Sequence, residues 1–465
     1  MLSSSLIEEL KPLFDPNSVA VAGASRTPSK VGHLVVRNLQ RLGFRGKIYP
    51  VNPKGGTILG LETYERIDLI PSRVETVIIC TPAPKVVEIM QQCAKKGVKA
   101  AIIVSGGFSE EGEDGRKLEE AIVKIAKSAG IRVIGPNTTG VLNTASGFTS
   151  SWFGDVPMLK GSVALIAQTG NFAGVLFEYI MTNRLFGLSN IIGLGNKCDV
   201  NETDALEYVM EDPRNKIIMM YLEGVGDGRR FLDVAKRTAR KKPLIVLKSG
   251  ITETGKRVAL SHTASMAGDD RIFNAVCAQS GMIRVEGFEE LVDLAQALAL
   301  LPLPRGKRVA VADWSGASCV ISSDTMMQIP NGLEYAELST RSLDRLREVT
   351  PSWHRISNPI DLTPAIQSVG PDRAYEAVMD VLIEDENVDA GLVSIAAFEG
   401  NDPDLRAFRR NIEKPILFSV IGNNVVMAKT TEELRRIGYP VFPFMRRAMI
   451  VLHRMYQVSR VIRQE

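Results

Sequence analysis

Short apolar runs that break off into glycine, proline or asparagine recur along the whole chain, and amphipathic helical stretches alternate with them. SVAVAG (18–23), KIYPVNP (47–53), VETVIICTP (74–82), KAAIIVSGGF (99–108) and IRVIGP (131–136) make a first block. SVALIAQTG (162–170), LSNIIGLGN, KIIMMYLEG, PLIVLKSG and MIRVEG make a second. After the Pro-rich LPLPRGK (301–307), RVAVADWSG (308–316), AGLVSIAAF, PILFSVIG and YPVFP make a third. Runs this short and apolar, each paired with a helix, are the pattern of parallel sheets covered on both faces. The chain is therefore predicted to be α/β in three blocks, 1–150, 151–303 and 304–465.

Composition narrows what such a protein does. With 465 residues, 45% hydrophobic and 23% charged, the chain can bury several cores. Its net charge of +3 comes from Lys and Arg spread along the sequence, so no basic stripe points to nucleic acid. MLSSSLIEELKPLFDP has no long apolar core or cleavage site, and no apolar run reaches the ~18 residues of a membrane span. A cytoplasmic protein is expected. Five scattered cysteines, Cys80, Cys93, Cys198, Cys277 and Cys319, without a CxxC pair, fit a reducing compartment and give no zinc signature. Cys80 reads as a small buried hydrophobe in preference to a nucleophile.

In the first block the strand-end residues are predicted to gather at the carboxyl edge of one sheet, where open α/β sheets bind ligands. Gly23 ends the first run and Gly32 follows at a helix start, so the turn can approach a phosphate closely. Yet GASRTPSKVG has Ser25 where the second glycine of a dinucleotide fingerprint stands. The second run ends in Asn52-Pro53-Lys54, not in the acid that grips a ribose diol. A cation there favours a phosphorylated nucleotide over NAD. Thr81-Pro82, Ser105-Gly106-Gly107 and Gly135-Pro136-Asn137 end the later runs.

The second block carries a lone histidine. KSGITETGKRVALSHTASMAGDD (248–270) reads as a long polar loop between a strand and a helix that starts near Asp269, and loops of that length are usually functional. His262 sits there among Ser261, Thr263, Ala264 and Ser265. Imidazole near neutral pH is a nucleophile able to carry a phosphoryl group, although most lone histidines are ordinary surface residues. Gln168-Thr169-Gly170-Asn171 precedes a helical stretch whose N-terminus is suited to an anion.

Taken in order, these motifs resemble the α subunit of ADP-forming (NDP-forming) acyl-CoA synthetases, in the succinyl-CoA ligase superfamily. GASRTPSKVG, GKIYPVNPK, SGGFSEEG and GPNTTGVLNT are similar to that family's CoA-binding domain. QTGNFAG, MYLEG, KSG and SHTASMAG are similar to its phosphohistidine domain, and RVAVADWSG with ISNPIDLT to its third domain. The resemblance implies a Rossmann-like CoA-binding domain followed by two flavodoxin-like domains. It implies that CoA is held by Gly23, Ser25, Arg26, Val51, Asn52, Lys54, Thr81, Pro82, Ser105, Gly106, Gly107 and Asn137. His262 is implied as the phosphorylated residue, Glu223 as the carboxylate that orients it, and Gln168, Thr169, Gly170 and Asn171 as the phosphate turn. ATP or ADP with Mg2+ is expected on an ATP-grasp β subunit, in an αβ or α2β2 assembly, because no P-loop or ATP-grasp block is seen here; no metal site is expected on this chain. The substrate is a small carboxylic acid that the sequence does not identify.

Two departures stand out. Trp314-Ser315-Gly316-Ala317-Ser318 occupies the place of a Gly-rich turn, and Thr263-Ala264-Ser265 follows His262 where Thr-Gly is commoner. The altered Trp314 turn is the main support for an alternative: a CoA-binding regulatory protein of the same fold without catalysis.

Overall fold

Each apolar run identified above becomes a strand, and most strands pair in parallel. The computed structural model describes residues 2–153, 155–168, 170–263, 268–329, 332–400, 404–410 and 413–464. Two compact units are present, Met1–Glu286 and Gly287–Glu465.

The first unit holds two large sheets. β1 (Ser18–Ala22) and β2 (Lys47–Val51) are followed by a small hairpin of β3 (Thr57–Ile58) and β4 (Leu61–Glu62), then by β5 (Thr76–Ile79), β6 (Ala100–Ile103) and β7 (Arg132–Ile134). The long strands form a parallel sheet in the order β2-β1-β5-β6-β7. The second sheet contains β8 (Val141–Asn143), β9 (Phe148–Thr149), β10 (Lys160–Ala167), β11 (Leu188–Gly193), β12 (Ile217–Leu222), β13 (Leu244–Lys248) and β14 (Ile283–Val285). Its order is β14-β13-β12-β10-β11-β8-β9, with β8 antiparallel to β11 and to β9. In the second unit β15 (Arg308–Asp313), β16 (Glu334–Tyr335), β17 (Ile360–Asp361), β18 (Ala390–Ala397), β19 (Ile416–Gly422) and β20 (Val441–Phe442) build a third sheet. Its path is β16-β15-β18-β19-β20, and β17 also pairs with β15. β1, β11 and β18 are buried along their whole length, which explains why their sequences are largely apolar and lack the alternation of a half-exposed strand.

All three sheets share one winding scheme. The chain lays down a first strand, adds the second on one side, then crosses to build outward on the other. The strand order therefore reverses between β1 and β5, between β10 and β12, and between β15 and β18. Reversal points leave a crevice at the carboxyl edge, the usual ligand position in such sheets.

Two boundaries differ from the sequence expectation. The first block was taken to run to residue 150, but the chain joins the second sheet at Val141, where β8 and β9 cover the outer edge of β11 and remove it as an open pairing surface. The third block was taken to begin after 303, but its compact unit begins at Gly287 and includes the helix Phe288–Leu300. Ion pairs hold that helix to the C-terminal helix Met445–Arg463: Arg447 Nε donates to Asp293 at 2.8 Å and Arg454 Nε to Glu290 at 2.7 Å.

Candidate functional site

At the carboxyl edge of the first sheet the turn after β1 is shaped by two glycines. Gly23 has φ +87°, and a Cβ there would stand 3.0 Å from the backbone of Cys80 and from Thr81. A Cβ on Gly32 would stand 2.1 Å from the Gly23 oxygen, so this helix start can only close on the turn as glycine. Ser25 Oγ accepts from Thr27 N at 3.0 Å, and the Ser25 oxygen lies 2.8 Å from His33 Nδ1, which ties the turn to the helix Val31–Arg41. Asn52 Nδ2 donates to Ala24 O at 2.7 Å, and Arg26 donates to Gly55 O, so the turns after β1 and β2 interlock. Val51 is buried and pairs with Ala22, whereas Lys54 is exposed.

Further along the same edge Ser105 Oγ donates to Thr81 O, and Asn137 N donates to Ser105 O at 2.8 Å. Gly106 lies close to Asn137, Gly107 N donates to Glu110 Oε1 at 2.7 Å, and Pro82 starts the helix Ala83–Lys96. The expected residues of the first block thus form one continuous rim. Thr81 Oγ1 is buried there without a hydrogen-bond partner among the described residues. An orphaned hydroxyl beside a glycine-lined turn fits a ligand that brings its own polar atoms. Cys80, at the end of the neighbouring strand, has its thiol pushed up to about 12 by burial and is no nucleophile.

In the second sheet the crevice lies between the ends of β10 and β12. Gln168, fully buried, follows β10, and its Oε1 accepts from Glu223 N at 2.8 Å and Gly224 N at 2.9 Å. Its amide oxygen therefore clamps the strand end that carries Glu223. This is a bridging role that residue type alone did not suggest. Glu223 is 5% exposed. Thr169 lies outside the described residues; Gly170 opens the helix Gly170–Thr182, and the side chain of Asn171 also lies outside those described.

The stretch around His262 corrects an expectation. A long loop was predicted, but Glu253–Thr263 is an α-helix. Thr252 Oγ1 accepts from Gly255 N at 3.0 Å as an N-terminal cap, and Lys256 pairs with Glu253 at 2.7 Å. Those local bonds outweigh the single glycine in the first turn. His262 falls in the last turn of this helix; its side chain, and residues 264–267, lie outside the described set. The helix packs beside the turn Ser109–Glu111, which continues the Ser105–Gly107 segment of the first sheet. Asp269 caps the next helix, Asp270–Ser280, by accepting from Arg271 N.

Two residues of the loop after β11 join the rims of the first and second sheets, and nothing local in the sequence marks them. Asn196 Nδ2 donates to Glu110 Oε2 at 2.6 Å, Glu119 Oε2 at 3.1 Å and Ser109 Oγ at 3.2 Å. Lys197, at φ +60°, donates from Nζ to the fully buried Glu202 at 2.8 Å and to Gly224 O at 3.0 Å.

The third sheet's crevice is different in kind. Asp313, 1% exposed at the end of β15, accepts from Trp314 N at 3.0 Å and from Ser322 Oγ at 2.6 Å, and burial raises its pKa above the usual carboxylate range. Above it lies a cavity of about 500 Å³ lined by Trp314, Ser322, Ser394, Ser419 and Phe444 among others. Ser315 caps the following helix, Gly316–Gln328, by accepting from Ser318 N. Among the described residues, no group of three or more histidine, cysteine, aspartate or glutamate side chains is placed to hold a metal ion. No helix among them is long and apolar enough to cross a membrane.

Comparison with known proteins agrees with this geometry. Residues 17–144 match a CoA binding domain, and residues 160–298 match a succinyl-CoA ligase like flavodoxin domain. Over 462 residues the chain is 43% identical to acetate–CoA ligase [ADP-forming] II of Archaeoglobus fulgidus, covering 98% of this chain and 68% of that protein. It is 35% identical to the α subunit of acetate–CoA ligase [ADP-forming] I of Pyrococcus furiosus, covering 97% of this chain and 98% of that one. The solved dinucleotide forming acetyl-coenzyme A synthetase 1 of Ca. Korarchaeum cryptofilum, in complex with phosphate and ADP, superposes with a TM-score of 0.90 at 33% identity, covering 98% of this chain and 97% of that chain. A CoA-binding domain followed by a succinyl-CoA-ligase-like flavodoxin domain is the arrangement of a class of acyl-CoA ligases. The chain belongs to the ADP-forming acyl-CoA synthetases, and it is similar over nearly its whole length to the α subunits of the Pyrococcus furiosus enzymes.

Proposed function

We propose that the chain reversibly interconverts acyl-CoA, ADP and phosphate with a carboxylic acid, CoA and ATP, through a phosphoryl group carried on His262. The observation that carries this reading is the packing of the helix that bears His262 beside Ser109–Glu111, the continuation of the Ser105–Gly107 rim. CoA chemistry and the histidine segment are thereby neighbours within one unit.

In this reading the first-sheet rim holds CoA: Gly23 and Gly107 admit its phosphates close to the backbone, Thr81 Oγ1 finds a partner, and Lys54 meets a phosphate. Attack of inorganic phosphate on the acyl-CoA carbonyl expels the CoA thiolate and leaves an acyl phosphate. His262 then takes the phosphoryl group and releases the carboxylate. Glu223 holds one imidazole nitrogen protonated so that the other attacks, and the positive end of the helix beginning at Gly170 stabilises the phosphoryl oxygens. The phosphohistidine finally passes its phosphoryl group to ADP.

Nucleotide and Mg2+ are assigned to an ATP-grasp β subunit in an αβ or α2β2 assembly, and no step on this chain is routed through a metal. The α-subunit naming of the Pyrococcus furiosus relatives supports a partner, and the Archaeoglobus fulgidus relative is longer than the region matched here. The acid is a small carboxylate, with acetate the first to test because several relatives are named for it. A cytoplasmic setting fits these substrates. Incubating the chain and its β partner with radiolabelled ATP should give an acid-labile, base-stable label on His262. A chain that binds CoA yet never takes label is instead the regulatory protein weighed above.

A further inference from the structure

The YLEG segment places Tyr221 two residues before Glu223, and a strand turns alternate residues to the same side. Tyr221 is in register with Ala167 of β10 and Leu247 of β13, near the carboxyl ends of those strands. Its hydroxyl lies 3.0 Å from Ser249 Oγ and 3.5 Å from Glu223 Oε1. Ser249 is itself fixed: its N–H donates to Leu222 O at 3.0 Å, and its carbonyl accepts from Lys248, a buried lysine whose ammonium sits 5.9 Å from the centre of the Phe273 ring.

A phenol and an aliphatic hydroxyl carry one proton each, and a carboxylate carries none. The arrangement that uses both protons is directional: Ser249 donates to Tyr221, and Tyr221 donates to Glu223. Burial raises the phenol above its ordinary value, so it keeps its proton throughout the working range.

We infer that Tyr221 is a positioning residue, which with Ser249 pins one oxygen of Glu223 so that the other is presented to the imidazole of His262. The inference rests on the histidine reading above and adds a residue to it. The backbone of Glu223 is held by Gln168; the relay acts on the carboxylate itself.

The test uses the assembled enzyme with its nucleotide-binding partner. Tyr221→Phe removes one oxygen and keeps the ring, so folding is checked by an unchanged melting curve. It should lower kcat at least about 10-fold, the low end for loss of a hydrogen bond to a charged group, and leave KM for CoA unchanged. Ser249→Ala should act in the same direction, more weakly. In a Glu223→Gln background, Tyr221→Phe should add less than about 2-fold, because coupled residues are not additive.

Wild-type kcat in Tyr221→Phe, or a full additional loss in the Glu223→Gln background, overturns the inference. If His262→Ala and Glu223→Gln are impaired but Tyr221→Phe is not, only the relay is wrong. If His262→Ala retains full synthesis, the phosphohistidine reading itself falls.

Discussion

The second and third sheets are wound alike, yet their crevices are finished in opposite ways. Between β10 and β12 the polar groups point along the edge and hold one another in place: Gln168 clamps two backbone N–H groups, and Tyr221 reaches both Ser249 and Glu223. Between β15 and β18 Asp313 is held by Trp314 N and Ser322 Oγ, in a cavity whose lining includes the aromatic rings of Trp314 and Phe444. Winding creates a crevice; which groups remain to meet a ligand is decided by a few residues at the strand ends. In the second crevice the polar groups brace the strand end that carries Glu223; in the third, Asp313 is bound to its own backbone and a serine hydroxyl.

The sharpest way to break this contrast is to remove the nucleophile. His262→Ala should abolish both labelling from ATP and net acyl-CoA synthesis; synthesis at the wild-type rate would place the chemistry elsewhere. Glu223→Gln should lower turnover at least ~10-fold, the low end for a positioned acid-base group, with CoA affinity unchanged by calorimetry. Loss of CoA affinity at constant turnover would move Glu223 out of the histidine's reach.

The first sheet extends the comparison to binding. The enzyme should bind CoA more tightly than dephospho-CoA, and Lys54→Ala should erase roughly a 10-fold share of that preference, the scale of one hydrogen bond to a charged group. Equal binding of the two ligands by the unaltered protein removes Lys54 from the site. The smallest effect is expected in the third crevice. Trp314→Ala should change the rate of His262 labelling less than about 2-fold, as for a residue outside the chemistry. A large gain in that rate would mean that Trp314 obstructs a phosphate-binding turn.

The parallel sheets were legible because most of their strands announced themselves twice, by an apolar run and by the turn residues that ended it. The rim formed by Gly23, Asn52, Thr81, Ser105, Gly107 and Asn137 followed from that alone, since parallel strands bring their carboxyl ends to one edge. The helix Glu253–Thr263 was not read because its cap, Thr252, and its Glu253–Lys256 pair stand among glycine, serine and threonine, whose loop signal is stronger. The bridge from Gln168 to the backbone 55 residues on was not legible, because side-chain type does not reveal such a partner. The placement of Val141–Thr149 in the second sheet, and the bonds of Asn196 and Lys197, depend on long-range contacts that no local pattern encodes.

Those bonds bear on how this enzyme can be recombined. A hybrid that takes its CoA-binding portion from one parent and the remainder from another, joined where the sequence invites a cut near residue 150, would separate Ser109, Glu110 and Glu119 from the Asn196 that joins them. It would leave Lys197, still bound to Gly224 O, as a lever transmitting any mismatch to the strand end that carries Glu223. Such hybrids should keep their CoA affinity and lose turnover, unless Asn196 and the residues it grips come from one parent. The seam between the sheets is then the unit that such a hybrid must inherit whole.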